Sequence, residues 1–324
     1  MSRPGPSRRS DGRQPLDLRP INISVGELDR ADGSGKFAFG STAVLASCTG
    51  PIEIRLREEL PDRATLEVSH RPLEGIGATP SRALVTTLET IFPPLLSLSQ
   101  HPRSLIQLVV QSLSASSTSS LSSFSSSTTY IDTSSSTSQN TWPARPTSNL
   151  NDEEDRDDYR PTSSLSASEY SPSTSYTFSS RAASINASTL AFLSTGSIPM
   201  KGLAIAVSVA DLTAERGGLV LDPTTEEEGR AKARFGFGWA FGQGLSLVPK
   251  KKANDQSRMD VDDAEGEGDG PTEMELVWVE SEGDFTRNEW VEASHISKAA
   301  ARRILQLSRT RLGEHIDKRR LARS

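Results

Sequence analysis

Between residues 112 and 140, 20 of 29 positions are serine or threonine. A stretch of that composition cannot bury enough apolar surface to offset the entropy lost on ordering it. The polar run continues through Pro143 and Pro146 into the acidic block Asp152-Glu153-Glu154-Asp155-Arg156-Asp157-Asp158. The sequence therefore predicts a disordered, Ser-rich and acidic insertion over 112–180. A second, charged one is predicted over 250–270, opening on Lys250-Lys251-Lys252 and turning acidic. Residues 1–13 read as a disordered basic tail. What remains, 14–111, 181–249 and 271–324, amounts to 221 residues. That is the size of one domain interrupted twice at loop tips, where insertion costs least.

This division explains a hydrophobic content of only 34% and an aromatic content of 6%, since inserts dilute an ordinary core. It also relocates the charge. Of the net −6, residues 112–180 carry −5 and 250–270 carry −3, leaving +2 for the remainder. The acidic balance is thus no argument against nucleic-acid binding by the folded part. The single cysteine, Cys48, excludes an intramolecular disulfide. His70, His101, His295 and His315 are too scattered for metal-ligand spacing, and neither a metal nor a cofactor is expected. The N-terminus lacks the apolar stretch of a secretory leader, and no run is apolar enough for a transmembrane helix. The expected location is the cytosol or nucleus, and no membrane partner is expected.

Periodicity then places the elements. Phe37 and Phe39, then Val44, Ala46 and Cys48, alternate as strands do, up to Gly50-Pro51. Leu66 and Val68 mark another strand. Thr79-Pro80 opens a helix with Leu84, Leu88 and Ile91 on one face, stopped by Pro93-Pro94. Leu105 to Val110 reads as a buried strand, and Ile185 to Leu193 as a helix ended by Gly196. Leu203–Val209, Leu219–Leu221, Phe235–Phe241 and Met274–Val279 read as strands. Thr286 and Glu289 form a capping box before a helix whose apolar stripe runs through Trp290, Ala293, Ile296, Ala300, Ile304 and Leu307. The order predicts an α/β or α+β domain with mixed sheets packed on helices.

A series of short motifs goes further. Ser10-Asp11-Gly12-Arg13, Leu18-Arg19-Pro20, Ala31-Asp32-Gly33-Ser34, Phe39-Gly40-Ser41-Thr42-Ala43-Val44 and Gly50-Pro51 stand in order. Ala64-Thr65-Leu66-Glu67-Val68, Arg71-Pro72, His101-Pro102-Arg103, Ile185-Asn186-Ala187 and Val220-Leu221-Asp222-Pro223-Thr224 follow. The whole series resembles the RNase PH family, and its later members resemble the ring subunits of the eukaryotic RNA exosome. The resemblance implies an RNase PH-like fold of βαβα units. It implies partnership with other RNase PH-like ring subunits and with cap subunits, RNA in the ring channel, and a hydrolytic nuclease reached through the assembled ring. It further implies a part in 3′-to-5′ RNA processing and degradation, including rRNA maturation and mRNA turnover, in nucleus, nucleolus and cytoplasm.

Phosphorolysis needs a phosphate aimed at the terminal RNA linkage, an acid for the leaving oxygen, and carboxylates that can hold a divalent ion. In catalytic members of the family the phosphate site is a Gly-Thr-Arg at the start of the central helix. By this resemblance it falls on Ser179-Ser180-Arg181, where the glycine is missing, and the paired acids fall on Asp222 and Glu228. These are read as vestigial positions, so no catalytic residue is expected. Glu228, last of three successive glutamates, is expected to point to solvent. The plainer readings are a helix-start residue for Arg181 and a turn-former ahead of Pro223 for Asp222. Arg55, Arg57, Arg63, Arg71, Arg82 and Arg103 are the RNA-binding candidates, although an arginine is more often a solvated surface residue or one ion-paired to a partner chain. The expected role is a non-catalytic, RNA-guiding ring subunit. The alternatives are an active phosphate-dependent exoribonuclease and a homodimeric nuclease outside the ring.

Overall fold

In a computed structural model, the residues described are 9, 11–73, 79–114, 176–212, 218–242 and 274–321, with side chains to 317. All belong to one compact unit. The readings that fall on 115–175 and 243–273 lie outside the described residues.

Among the described residues nine strands form two sheets. β1 (Ile21–Val25), β2 (Gly33–Phe39), β3 (Thr42–Glu53), β4 (Thr65–Arg71) and β5 (Ser104–Ser112) make one, in the order β1-β2-β3-β5-β4. Every pairing is antiparallel except β4 with β5. β6 (Gly202–Asp211), β7 (Leu219–Leu221), β8 (Ala233–Gly242) and β9 (Met274–Gly283) make the second, wholly antiparallel, in the order β7-β6-β8-β9. Among the described residues the α-helices are α1 (Thr79–Ile91), α2 (Phe178–Thr195), the short α3 (Thr225–Arg230) and α4 (Arg287–Leu321).

The period-2 reading of β3 holds, with Val44, Ala46 and Cys48 all fully buried. β3 does not stop at Gly50-Pro51, however. It resumes after an irregularity in pairing between Thr49 and Ile52 and runs to Glu53. A bulge lets a strand pass a residue that cannot donate to the ladder.

α2 is the central element. It packs on β2 and β3 of the first sheet and on β6 and β8 of the second, and it is buried almost all round. Two features of sequence allow this. Gly33 and Gly35 leave β2 bare where α2 crosses: a Cβ on Gly35 would lie 2.5 Å from the Leu190 Cβ and 2.7 Å from the Ala191 amide. On the other side, Asn186 Nδ2 donates to the Ala206 carbonyl (3.0 Å), and the Ala206 N–H donates to Asn186 Oδ1 (2.7 Å). Thr189 donates to the Ala204 carbonyl at 2.8 Å. β7 pairs only with Val209–Asp211, so these side chains of α2 serve backbone groups of β6 that β7 does not reach.

Three further boundaries differ from expectation. α2 begins at Phe178 rather than Ile185, so residues 176–180, assigned by composition to the insertion, are buried core. The serines there are in a first helical turn, where they are well tolerated. Ser112, assigned to the same insertion, ends β5. Arg9, assigned to the basic tail, is only 8% exposed. On α4 the Thr286–Glu289 box closes in both directions. The buried stripe includes Ala293, Ser297, Ala301, Ile304, Leu305 and Ser308, whereas Leu307 is exposed. Among the described residues no helix is long and apolar enough to cross a membrane.

Candidate functional site

The residues assigned to the vestigial site converge at the N-terminal end of α2. A helix start leaves four amide N–H groups without intrahelical partners, and together they attract anions. Here the three that follow the N-cap are satisfied within the chain, and Arg181 N–H makes the first intrahelical bond. Phe178 N–H and Ser179 N–H each donate to one oxygen of Glu228, both at 2.9 Å. Ser180 N–H donates to the hydroxyl of the N-cap Thr177 at 3.2 Å, and Arg181 N–H to the Thr177 carbonyl at 3.0 Å. Glu228 therefore does not face solvent. It is 1% exposed and lies where a bound anion would lie. Burial pushes its carboxyl up to about 7, against the pull of the Ser179 and Phe178 amides and the charges of Arg234 and Arg19. The short α3, capped by reciprocal Thr224–Glu227 bonds, turns Glu228 inward.

Asp222 is fully buried, with φ of +49°, a conformation asparagine and aspartate adopt more readily than most residues. Its carboxylate accepts the Arg19 amide and Nε, both at 2.9 Å, and a second guanidinium nitrogen of Arg19 at 2.6 Å. The same guanidinium reaches Thr42 at 3.1 Å and the Ser179 hydroxyl. Such a bidentate, fully satisfied pair is a structural clamp. Arg9 adds a second, donating to both oxygens of Glu227 and to the carbonyls of Leu221 (2.8 Å) and Asp222 (3.0 Å). Burial raises the Glu227 carboxyl, but Arg9 and the Thr224 amide outweigh it and hold the group below the usual range.

Arg181 is engaged from the opposite side. Its guanidinium pairs with Glu280 of β9 and lies over the Phe178 ring, 5.3 Å from the centroid. Glu280 also accepts the Trp278 indole N–H at 2.9 Å and the Thr87 hydroxyl at 3.3 Å. Arg234 lies over the same ring at 5.8 Å and pairs with Glu282 at 2.7 Å. Gly236 makes the space, since a Cβ there would meet Trp278 at 2.3 Å and Phe178 at 2.8 Å. Burial lowers the Arg181 pKa, opposed by Glu282 and Glu228 and assisted by Arg234.

A buried polar chain adjoins this region. His70 bonds Ser112 through Nε2 (3.1 Å) and Ser81 through Nδ1 (3.0 Å), and Ser81 bonds the Tyr176 hydroxyl at 2.8 Å. Burial pushes His70 down to about 4.

The six arginines proposed for RNA are all exposed, and the fold does not gather them into one patch. Arg55, Arg57, Arg63 and Arg103 flank the starts of β4 and β5, and Arg103 pairs with Glu59 at 3.1 Å. Arg71 ends β4 and Arg82 lies in the first turn of α1. The length of β4, about 20 Å at ~3.3 Å per residue, separates the two groups. Only Arg71 and Arg82 lie at the end of the sheet where Ser112 and His70 meet the chain entering α2. Among the described residues no three His, Cys, Asp or Glu side chains are grouped to hold a metal ion. Sequence reasoning missed the roles of Arg9, Arg19 and Glu280. Arg19 stood in a quoted motif, but its partner lies 203 residues away. Glu280 is indistinguishable in sequence from any exposed strand carboxylate.

Comparison with known proteins now bears on this geometry. Residues 17–197 match the RNase PH family model, described as 3′ exoribonuclease family, domain 1. The chain belongs to the RNase PH, or 3′ exoribonuclease, family. The exosome complex component RRP46 of Saccharomyces cerevisiae is 38% identical over 93 residues, 29% of this chain and 42% of that protein. The exosome complex component Rrp41 of Pyrobaculum neutrophilum is 35% identical over 117 residues, 33% and 48% of the respective chains. The chain thus spans under half the length of these curated relatives. The RNase PH-like fold is shared with rice Rrp46, at a TM-score of 0.60 and 21% identity, over 94% of this chain and all of that one. It is shared also with a chain of the Archaeoglobus fulgidus exosome with RNA bound to the active site, at a TM-score of 0.52 and 14% identity, over 92% of each chain.

Proposed function

We propose that this RNase PH-family chain is a non-catalytic subunit of an exosome core ring, holding the ring together and guiding RNA, a counterpart of human exosome component five. The single observation that carries the reading is the occupation of the anion-binding apparatus by the chain itself. Glu228 fills the amide cradle of α2, Glu280 takes Arg181, and Arg19 takes Asp222. A phosphate would have to displace a carboxylate from a dry site before any chemistry, the reverse of a site preorganised for its substrate. On this reading the chain's partners are other RNase PH-like subunits and cap subunits. RNA threads the channel towards a separate hydrolytic nuclease, in nucleus, nucleolus and cytoplasm. The second reading, an active phosphate-dependent exoribonuclease, is favoured by the retention of Arg181, Asp222 and Glu228 at the same helix start.

The test is release of nucleoside diphosphates from a 3′-tailed RNA by the purified chain with phosphate and magnesium. No release above a protein-free control is expected. Release that disappears in Arg181→Gln, with the fold retained, would establish the second reading. Sizing of native extract completes it: migration with a large complex is expected, and a peak of dimer size would favour a homodimer outside the ring.

A further inference from the structure

We propose that the outer face of α4 is a binding surface for single-stranded RNA, gripped through its phosphates and without regard to sequence. The proposal rests on the RNA-guiding reading above and gives it a surface apart from the start of α2. Residues 293–313 hold Lys298, Arg302, Arg303, Arg309 and Arg311 and no aspartate or glutamate. Arg311 pairs with Glu314 at 3.1 Å, and Arg309 is engaged elsewhere. The other three keep their charge uncompensated. Arg302 meets only a sulfur, Met274 Sδ, at 3.2 Å. Lys298 lies over the Trp239 ring, 5.9 Å from the centroid. Arg303 lines an open groove with Leu16, Leu18 and Ile296. Of the nearby carboxylates, Glu292 and Glu314 lie outside the stretch, and Glu275, next to Met274, is engaged. Residues four apart are neighbours on a helix surface, so Lys298 and Arg302 stand in one row with Arg303 beside them. These three charges fall within about 8 Å of helix at ~1.5 Å per residue. Three consecutive phosphates of a stacked strand span about 7 Å at ~3.4 Å each. The apolar stripe of α4, with Ala293, Ala301 and Ile304, is buried in the core, so the outer face offers charge with no apolar strip to insert into a membrane. Trp239 is only 8% exposed, too covered to stack a base, and contacts confined to phosphates carry no sequence readout. The surface is remote from the helix-start site. Arg302 meets β9 at Met274, and Glu280 lies six residues along that strand, about 20 Å away at ~3.3 Å per residue.

The experiment titrates the full chain into a fluorescent oligouridylate and follows anisotropy over a range of salt concentrations, with the thermal midpoint of each variant as the check on folding. Arg302→Gln with Arg303→Gln is expected to make the plot of log K against log salt shallower by about 1.4, at about 0.7 per phosphate of a single strand, and to weaken binding about 25-fold at about 0.1 M salt. Arg302→Lys with Arg303→Lys keeps the charge and should keep the slope. Lys36→Gln with Lys201→Gln removes the same charge from β2 and from the residue before β6, and should leave slope and affinity as in the parent. A folded glutamine pair on α4 with the parent's slope would overturn the proposal, as would a parent chain that binds no RNA or a control pair that loses as much. The acid-rich run 260–269 precedes β9 in the sequence, so polyglutamate is the competitor that tells RNA from an acidic peptide. Tighter binding of polyglutamate than of RNA of equal charge would assign the surface to an acidic protein segment instead. The ring reading fails separately. Native chain that migrates outside any large complex would refute that reading and leave the RNA surface standing, whereas an unchanged slope in a ring-bound chain would refute the α4 assignment alone.

Discussion

Two buried groups of opposite chemistry titrate across nearly the same pH range. His70 is held neutral, its pKa lowered by burial from 6.5 to about 4. The unfolded chain then binds more protons there, and stability is lost as pH falls from about 6.5 towards 4. Glu228 is raised from 4.5 to about 7. Here the folded chain binds more protons, and stability is lost as pH rises from about 4.5 to 7. Each contribution is about 3 kcal/mol on the linkage scale, and the two oppose each other. The parent chain is therefore expected to show little net pH dependence from this pair between pH 5 and 6.5. Glu228→Gln should unmask the histidine, with urea midpoints falling on acidification. His70→Asn should unmask the glutamate, with midpoints falling as pH rises. Parallel profiles for the two variants would contradict the assignment. Asp222 belongs to the same scale. Asp222→Asn leaves Arg19 buried without its counter-charge, and a loss of about 3–5 kcal/mol is expected in chemical denaturation. Asp222→Asn combined with Arg19→Met should recover part of that loss. If the single variant is as stable as the parent, the clamp is not structural.

At the scale of elements, α2 is held on one side by absence of side chains and on the other by polar ones. Asn186→Ala would remove the side-chain partner of both the Ala206 N–H and the Ala206 carbonyl. A loss of about 2–6 kcal/mol follows for the two groups at about 1–3 kcal/mol each, read as a lowered thermal midpoint. Gly35→Ala should destabilise by a different route, forcing α2 off β2. This element also shows what was legible in sequence. The alternation of β3, the capping box of α4 and the strands of the second sheet were legible because period and caps are local signals. The start of α2 was not. Tyr176-Thr177-Phe178-Ser179-Ser180 continues a polar composition, and the turn forms because Glu228, from another element, caps it. The inward turn of Glu228 was hidden for the same reason, since three successive glutamates read as solvated whichever of them is buried. The likeness in motif singled out Arg181, Asp222 and Glu228, whereas their partners are visible only in the geometry.

For the whole molecule, the ends of the long predicted insertion are tied together by side chains of the core. Ser112, three residues before the undescribed 115–175, and Tyr176, immediately after it, join through His70 and Ser81 in a chain of three hydrogen bonds of 2.8–3.1 Å. Among the described residues these four side chains close the base. The two halves are also bound across the sequence by Arg9 to Glu227 and Arg19 to Asp222. Replacing 115–175 with a Gly/Ser linker of about 8 residues should therefore leave one cooperative unfolding transition. Loop closure costs about 0.6 kcal/mol per doubling of length, so three halvings favour the shortened chain by about 2 kcal/mol. That corresponds to a rise of about 4–8 °C at most in a domain of this size. The linker variant made in a His70→Ala background should lose that gain, because the base is then no longer tied. A linker variant that unfolds in two transitions, or that fails to fold while the parent does, would show that the excised residues are part of the core after all.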